Sequence, residues 1–139
     1  MLLYREQSCR IESPVVLSGR ADFILHNDGR LFVVELKTIN QKGWENDLQT
    51  GPKIEHSTQL QCYLNMLGHE EGVVLYENKN TQQIKTFVVK QNKVLWDGIL
   101  TRAKTIVDMP KPPKLAEVAA IHYNYCDCRL VKDEELGLV

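Results

Sequence analysis

The sequence lacks long apolar runs and has few cysteines. No segment approaches the roughly 18 consecutive apolar residues that a membrane span requires, and the first residues do not show the basic-then-apolar order of a secretory signal. Four cysteines in 139 residues are too few for a disulfide-dense secreted scaffold. These absences favour a cytoplasmic protein with reduced thiols and no membrane partner.

The chain also lacks a strong excess of either charge and has no internal repeat. Its formal net charge of −1 excludes a uniformly basic coat, but a local basic groove is sufficient for binding nucleic acid. Hydrophobic residues make up 43% and charged residues 25%, which is typical of a soluble globular protein. We expect one domain over residues 1–139, with 110–139 as a poorly defined tail.

The first third of the chain predicts three strands. Residues 4–12, 15–25 and 31–38 are rich in strand-forming residues, and Ser13-Pro14 separates the first two segments. The tight-turn sequence Asn27-Asp28-Gly29 precedes the third segment. The second and third strands are therefore expected to form an antiparallel hairpin.

The rest of the chain alternates between loop, helix and strand patterns. Residues 40–55 are polar and without a period, which predicts a long loop carrying Trp44. A helix is expected over residues 56–67, followed by a stop at Gly68, then strands at 72–77 and 83–89. A second helix is expected between a cap at Asn92 and the Met109-Pro110 pair, with Leu95, Ile99, Ala103 and Ile106 as its apolar stripe. This order indicates an α/β fold in which helices flank a mixed central β-sheet.

Two acids and a lysine are predicted to converge on the hairpin. Strand alternation puts Glu35 and Lys37 on one face and Leu36 on the other, while the paired strand brings Asp22 within reach. Hard carboxylate oxygens beside a cation suit Mg²⁺-assisted phosphodiester hydrolysis. The alternative interpretation is an ion pair on a solvated strand face, worth only about 0.2–1 kcal/mol.

Three short motifs follow one another along the chain: Gly19-Arg20-Ala21-Asp22, then Val34-Glu35-Leu36-Lys37-Thr38, then Gln59-Leu60-Gln61-Cys62-Tyr63. Together they resemble the G-x-x-D, E-x-K and Q-x-x-x-Y motifs of the RecB-like branch of the PD-(D/E)XK nuclease superfamily, which includes CRISPR-associated and phage exonucleases. The resemblance implies a restriction-endonuclease-like core.

The resemblance also implies a role for each matching residue. Asp22, Glu35 and the backbone carbonyl of Leu36 would bind Mg²⁺ or Mn²⁺, and Lys37 would orient the attacking water or stabilise the transition state. Gln59 and Tyr63 would complete the set of catalytic residues by holding the substrate backbone or bracing the site. The substrate would be contacted by residues on or near these motifs: Arg20, Thr38, His56, Gln59 and Tyr63.

The resemblance is incomplete at two points. The family has a further metal-binding residue upstream, for which Glu6 is a better candidate than Glu12. Many relatives carry an iron–sulfur cluster on one early and three late cysteines, whereas the late cysteines here are only Cys126 and Cys128, so a cluster is not expected. A zinc site using these two with His122 and Cys9 is a lower-ranked alternative.

The expected function is a divalent-metal-dependent deoxyribonuclease that acts as an exonuclease or on single strands. Arg20, Arg30, Lys42 and Lys53 are candidates to line the DNA path, with Trp44 stacking on a base. The alternatives are a non-catalytic DNA-binding or assembly module that keeps the nuclease fold, and a zinc-stabilised interaction domain. Possible partners besides DNA are a second copy of the chain or a larger nuclease, helicase or phage assembly.

Overall fold

The computed structural model describes residues 1–110. Its elements follow in the order β1 (Leu2–Ile11), β2 (Leu17–Asn27), β3 (Arg30–Ile39), α1 (Gln41–Asn46), α2 (Ile54–Leu67), β4 (Glu71–Asn78), β5 (Ile84–Lys90) and α3 (Lys93–Val107). Residues 1–99 form one compact unit, which contains the whole sheet, and a second unit begins at Leu100 within α3.

The hairpin between β2 and β3 is the most locally determined part of the fold. Asn27 pairs with Arg30, so the connection is the two-residue loop Asp28-Gly29. Both loop residues have positive φ angles, 49° and 78°, as a type I′ turn requires. Glycine adopts such angles without cost and aspartate tolerates them, which explains why this sequence turns here. The predicted hairpin is confirmed.

The five strands form one mixed sheet in the order β1-β2-β3-β4-β5. Neighbours pair antiparallel except β3 and β4, which run parallel from Val33↔Gly72 to Ile39↔Asn78. A parallel pair needs a crossover connection, and α1 and α2 lie in the segment that supplies it. The expected α/β class with a mixed sheet and the second hairpin, β4 to β5, are confirmed.

Helix α2 carries the apolar stripe predicted from its sequence. Leu60 and Leu64 are fully buried in the core, and Leu67 packs against it. The helix ends at Gly68, whose N–H donates to the Leu64 carbonyl; its left-handed φ of 72° then turns the chain so that the His69 N–H donates to the same carbonyl. Burial of this stripe holds α2 to the sheet.

The prediction of an unstructured loop over residues 40–55 is wrong. Asn40 caps the short helix α1 by accepting a hydrogen bond from the Gly43 N–H. Trp44 packs against the core instead of standing in a loop, and Leu48 is fully buried. A helix of six residues is too short to show a helical period in the sequence.

Helix α3 begins as predicted, because the Asn92 side chain accepts a hydrogen bond from the Leu95 N–H. Its buried side chain is Trp96, however, whereas Leu95 of the predicted stripe is 41% exposed. Within residues 1–110, no helix has the length and hydropathy needed to cross a bilayer.

Candidate active site where two strands diverge

The site begins where β2 and β3 stop pairing. Their register runs from Asn27↔Arg30 to Phe23↔Val34 and then ends. Beyond this point β2 continues to pair with β1, and β3 continues with β4 as far as Ile39↔Asn78. The two strands therefore diverge at Asp22 and Glu35, which would be the next opposed pair, and leave backbone groups open between them.

Asp22 fills part of this opening. Its Oδ2 accepts a hydrogen bond of 2.7 Å from the Leu36 backbone N–H. The carboxylate thus replaces the strand partner that the divergence removes and satisfies this backbone donor. This contact fixes Asp22 beside the Glu35-Leu36 segment of β3.

Glu35 is an almost completely buried carboxylate, with 2% of its surface exposed. Its Oε1 accepts a 2.6 Å hydrogen bond from Lys37 Nζ, whereas its Oε2 is buried without a hydrogen-bond partner among the described residues. Burial raises the pKa of Glu35; the Lys37 hydrogen bond opposes this effect and the Asp22 charge adds to it. Within the described residues, the site therefore holds two carboxylates beside a single ammonium group, and one buried carboxylate oxygen has no hydrogen-bond partner.

Lys37 links the strand to helix α2. Its Nζ donates to Glu35 Oε1 at 2.6 Å and to Gln59 Oε1 at 2.9 Å. The Gln59 amide in turn donates to the Tyr63 hydroxyl at 2.9 Å, as helical residues four apart can. An ammonium group has three hydrogens, so one remains after these two contacts. The structure brings together all five predicted catalytic residues, Asp22, Glu35, Lys37, Gln59 and Tyr63.

Gly19 allows the tyrosine to approach the sheet. A Cβ atom at this position would lie 2.7 Å from Tyr63 Cε1, closer than real contacts permit. The first residue of the G-x-x-D pattern therefore has a packing role, since any side chain would displace the aromatic ring that Gln59 contacts. This role was not evident from the sequence.

His56 lies one helical turn before Gln59 and contacts a residue that the sequence did not indicate. Its Nδ1 is 2.7 Å from the hydroxyl of the buried Tyr76, which also accepts the Lys53 backbone N–H at 3.0 Å. Burial lowers the pKa of His56, with further lowering by the charges of Lys37 and Lys53. A neutral imidazole that accepts a hydrogen bond from the tyrosine hydroxyl at Nδ1 carries its own hydrogen on Nε2, where it can donate to another group.

Glu6 and Arg20 lie at the edge of the site. Arg20 Nη1 is 3.6 Å from Glu6 Oε2, and both side chains are more than 60% exposed. Glu6 lines a cavity of about 430 Å³ together with Asp22 and Leu36. Within residues 1–110, however, no three His, Cys, Asp or Glu side chains are grouped closely enough to hold a metal ion. The structure therefore does not group Glu6 with both Asp22 and Glu35.

A divalent cation fits the donors that are present. Carboxylate oxygens are the ligands that Mg²⁺ and Mn²⁺ prefer, and the buried Glu35 Oε2 lacks any other partner within the described chain. Asp22 and Glu35 are the residues that would hold the cation, with the Leu36 carbonyl as a third donor.

Two of the candidate DNA contacts lie elsewhere. Arg30 is at the opposite end of β3, where it pairs with Glu71 and lies over the Phe32 ring. Trp44 packs on the core, and the Lys85 ammonium lies 5.2 Å from its ring centroid. Thr38 is exposed beside the site.

The cysteines give no support to a metal cluster within residues 1–110. Cys9 is buried and Cys62 half-buried, both as free thiols. Burial raises the pKa of each, which favours the protonated thiol. His122, Cys126 and Cys128, on which the zinc alternative depends, lie outside the described residues.

Comparisons with known proteins agree with this architecture. The chain is 40% identical over 62 residues to the CRISPR-associated exonuclease Cas4 of Saccharolobus solfataricus, an alignment that covers 43% of this chain and 27% of that protein. It also resembles the crystal structure of SSO0001, with a TM-score of 0.60 and 21% identity, over 96% of this chain and 61% of that one. The chain thus spans about a quarter of the curated relative and three-fifths of the solved structure.

A family comparison covers most of the sequence. The model of the PD-(D/E)XK nuclease superfamily matches residues 3–130, which include all three motifs and every described element from β2 to α3. The chain belongs to the PD-(D/E)XK nuclease superfamily.

Proposed function

We propose that this nuclease-family chain is a divalent-metal-dependent deoxyribonuclease that uses Mg²⁺ or Mn²⁺ and acts on DNA ends or single-stranded segments. One observation carries the proposal. The buried Glu35 Oε2 has no hydrogen-bond partner in residues 1–110, yet the same carboxylate is held by Lys37 and lies near the charge of Asp22. A buried polar atom without a hydrogen-bond partner is unfavourable, and a cation bound at Oε2 would offset that cost.

The carboxylates and the Leu36 carbonyl are proposed to hold the cation. When bound, the cation would activate water as a nucleophile and offset charge on the scissile phosphate. Asp22 is already fixed by the Leu36 N–H, and Glu35 is fixed by Lys37. These two contacts support the proposal, because each carboxylate is already held by a hydrogen bond within the protein.

Lys37 is proposed to act on the reacting groups directly. Two of its hydrogens are directed at Glu35 and Gln59, so the third can donate to the attacking water or to a non-bridging phosphate oxygen. An ammonium held in place in this way stabilises charge that develops in the transition state. Gln59 and Tyr63 position it, since Gln59 accepts from Lys37 and donates to Tyr63.

Four residues around this centre are proposed to contact the substrate backbone. His56 would donate from Nε2, because its Nδ1 faces Tyr76. Arg20 and Thr38 are exposed on the two diverging strands, where a guanidinium and a hydroxyl can bind phosphate oxygens. Tyr63 would contact the substrate from the helix side. Activity on ends is proposed because the Saccharolobus relative is named an exonuclease.

Cleavage assays with matched variants test the proposal. Purified protein is expected to degrade DNA with Mg²⁺ or Mn²⁺ and to stop when EDTA is added. Lys37→Ala and Asp22→Ala should abolish cleavage while circular dichroism shows the same fold. End-labelled linear and circular substrates then separate exonuclease from endonuclease activity. Full cleavage by both variants would refute the site assignment.

A non-catalytic DNA-binding module that keeps the nuclease fold is the second candidate. The observation that favours it is that residues 1–110 contain no third acidic, histidine or cysteine side chain in the cluster. Calorimetry with Mn²⁺ discriminates between the two, because the module would bind no metal at the site. Saturable Mn²⁺ binding that Asp22→Ala removes would favour the nuclease.

A further inference from the structure

A second polar cavity adjoins the site, beyond the end of β3. It has a volume of about 420 Å³ and is lined by Thr38 and Ile39, by α1 residues including Lys42, and by Lys53 and Lys79. Three lysines and one aspartate, Asp47, line it, which leaves a surplus of two positive charges. The whole chain has a net charge of −1, so this concentration of positive charge is local.

The three lysines that line the cavity differ in their ion-pair contacts. Lys53 Nζ is 2.7 Å from Asp47 Oδ2, and this hydrogen bond raises the pKa of Lys53, which keeps it charged. Within the described part of the chain, neither Lys42 nor Lys79 has an ion-pair partner, and both side chains are exposed. Two charged ammonium groups therefore remain available to a ligand.

The walls of the cavity are fixed by a buried amide network. Asn78 is fully buried at the end of β4, and its side-chain amide donates to Gln41 Oε1 at 2.7 Å. The Gln41 backbone N–H donates to Asn80 Oδ1 at 2.8 Å, and the Lys79 N–H donates to the Ile39 carbonyl at 2.8 Å. These contacts tie the first turn of α1 and the segment after β4 to the end of β3, so Lys42 and Lys79 are carried on a defined frame.

The cavity lies close to the proposed catalytic centre along β3. Thr38 and Ile39 follow Lys37 directly in β3, so the cavity begins within about 7 Å of Lys37 along the strand. On the helix side, Lys53 and His56 are joined through the Tyr76 hydroxyl. A phosphate bound in the cavity would therefore belong to a nucleotide next to the one held at Lys37.

We propose that this cavity binds the sugar-phosphate backbone of the DNA strand next to the scissile phosphate, with Lys42 and Lys79 as its phosphate contacts. The inference rests on the proposed DNA substrate and adds the path that the strand follows. Lysine ammonium groups bind phosphate as point charges without reading the base. The contacts therefore increase affinity for a polynucleotide independently of sequence and leave the chemical step at Lys37 unchanged.

The test compares two double variants that remove the same charge. Lys42→Gln/Lys79→Gln alters the cavity, and the control Lys90→Gln/Lys93→Gln alters exposed lysines near the start of β4, at the far end of the sheet. Binding of a labelled single strand of about 12 nucleotides is measured in EDTA over a range of NaCl concentrations, where each lost phosphate contact reduces the salt slope by about 0.7. We expect the cavity variant to bind about tenfold more weakly with a slope lower by about 1.4, and the control to match the wild type.

Two further measurements check the control and identify the ligand. Hydrolysis of the p-nitrophenyl ester of thymidine 5′-monophosphate should proceed at the wild-type rate in the control variant Lys90→Gln/Lys93→Gln. An equal loss of affinity for inorganic phosphate and for the 12-nucleotide strand would mean that the cavity binds a single phosphate group, and would overturn the proposed strand path. An unchanged salt slope in the cavity variant would overturn it as well.

These outcomes are separable from failure of the proposed function, because binding is measured without metal and without cleavage. A chain that cleaves nothing but binds DNA through Lys42 and Lys79 supports the strand path and refutes the nuclease proposal. A chain that cleaves DNA while the cavity variant binds normally refutes the strand path alone.

Discussion

The two halves of β3 are held in different ways. From Arg30 to Val34 the strand pairs with β2, and the buried residues Val33 and Val34 also pair with β4. From Glu35 to Ile39 it pairs with β4 alone, and the side facing β2 is occupied by the Asp22 carboxylate. The first half is ordinary sheet. The second half lacks hydrogen bonds to β2, and there the buried Glu35 lies beside the half-buried Asp22 and Lys37.

This difference separates residues that stabilise the fold from residues that are suited to chemistry. A buried, incompletely paired carboxylate such as Glu35 is unfavourable for stability and is typical of functional sites. The arrangement persists because the surrounding sheet and the α2 stripe hold it. Substitutions at the paired end should therefore affect stability, and substitutions at the open end should affect activity.

The largest effect is expected for Glu35→Gln at the open end. The amide keeps the size of the side chain but removes its charge and a proposed metal ligand, so DNA cleavage should fall by about 1,000-fold or more, as when a group that stabilises transition-state charge is lost. Initial rates with Mn²⁺ measure the change. The matched control is Arg30→Gln, on the same strand but at its paired end, and it should cleave at the wild-type rate. Equal losses of cleavage rate in Glu35→Gln and Arg30→Gln would contradict the distinction between the paired and the open end of β3.

A smaller loss is expected for Gly19→Ala. The added methyl group would lie 2.7 Å from Tyr63 Cε1, so the ring must move, and with it the Gln59 amide that helps to position Lys37. Since displacements of about 1 Å can cost about 100-fold in rate, we expect a loss of roughly 10- to 100-fold in kcat with little change in KM.

Gly51→Ala is the control for this substitution, since nothing lies within 4 Å of a Cβ at Gly51. It should retain wild-type activity. Wild-type kcat in Gly19→Ala would show that the tyrosine position does not matter for catalysis, and the proposed positioning role of Gln59 and Tyr63 would then have to be abandoned.

The sequence predicted these two regions for different reasons. The hairpin followed from local turn chemistry at Asp28-Gly29, which depends only on neighbouring residues. The convergence of Asp22, Glu35 and Lys37 followed from strand alternation once the hairpin was assumed. Gln59 and Tyr63 were joined to them only by the family resemblance, because contacts between a strand and a distant helix leave no periodic signal.

Other contacts between segments far apart in the sequence were not predicted. The Tyr76 hydroxyl that holds His56 comes from a strand whose pattern looks uniformly apolar. The cavity requires Lys79, which follows β4, to meet the end of β3, and that depends on the parallel pairing of β3 with β4. Helix α1 was missed because its capping residue, Asn40, also suits a loop.

A third prediction concerns the pH dependence of stability in the metal-free protein. The pKa of Glu35 is raised above 4.5 by burial, so the folded state binds its proton more tightly than the unfolded chain does. The stability associated with this group is therefore present below pH 4.5 and is lost as the pH rises through the raised pKa. Glu35→Gln, which is always neutral, should melt a few degrees higher than wild type at pH 7 in EDTA.

The same thermal melts contain two internal checks on this prediction. The difference between Glu35→Gln and wild type should shrink toward zero at acidic pH, where Glu35 is protonated in both folded and unfolded chains. Added Mn²⁺ should raise the melting temperature of the wild type but not of the variant, since a ligand stabilises only the state that binds it. A variant that melts lower than wild type at pH 7 would mean that the Lys37 contact outweighs the cost of burial.

The smallest effect is expected at the paired end, for Gly29→Ala. Nothing lies within 4 Å of a Cβ at Gly29, so the cost arises only from its φ of 78° and should be about 1 kcal/mol of unfolding free energy. Gly29→Asn is the matched control, because asparagine tolerates this left-handed conformation, and its stability should lie between those of alanine and glycine. Urea melts measure the order of unfolding free energies among the wild type, Gly29→Asn and Gly29→Ala. All three proteins should cleave DNA at the same rate at a temperature where each is folded, because the turn lies at the end of β3 remote from Glu35. A turn variant with full stability but reduced cleavage would show that the two halves of the strand are coupled.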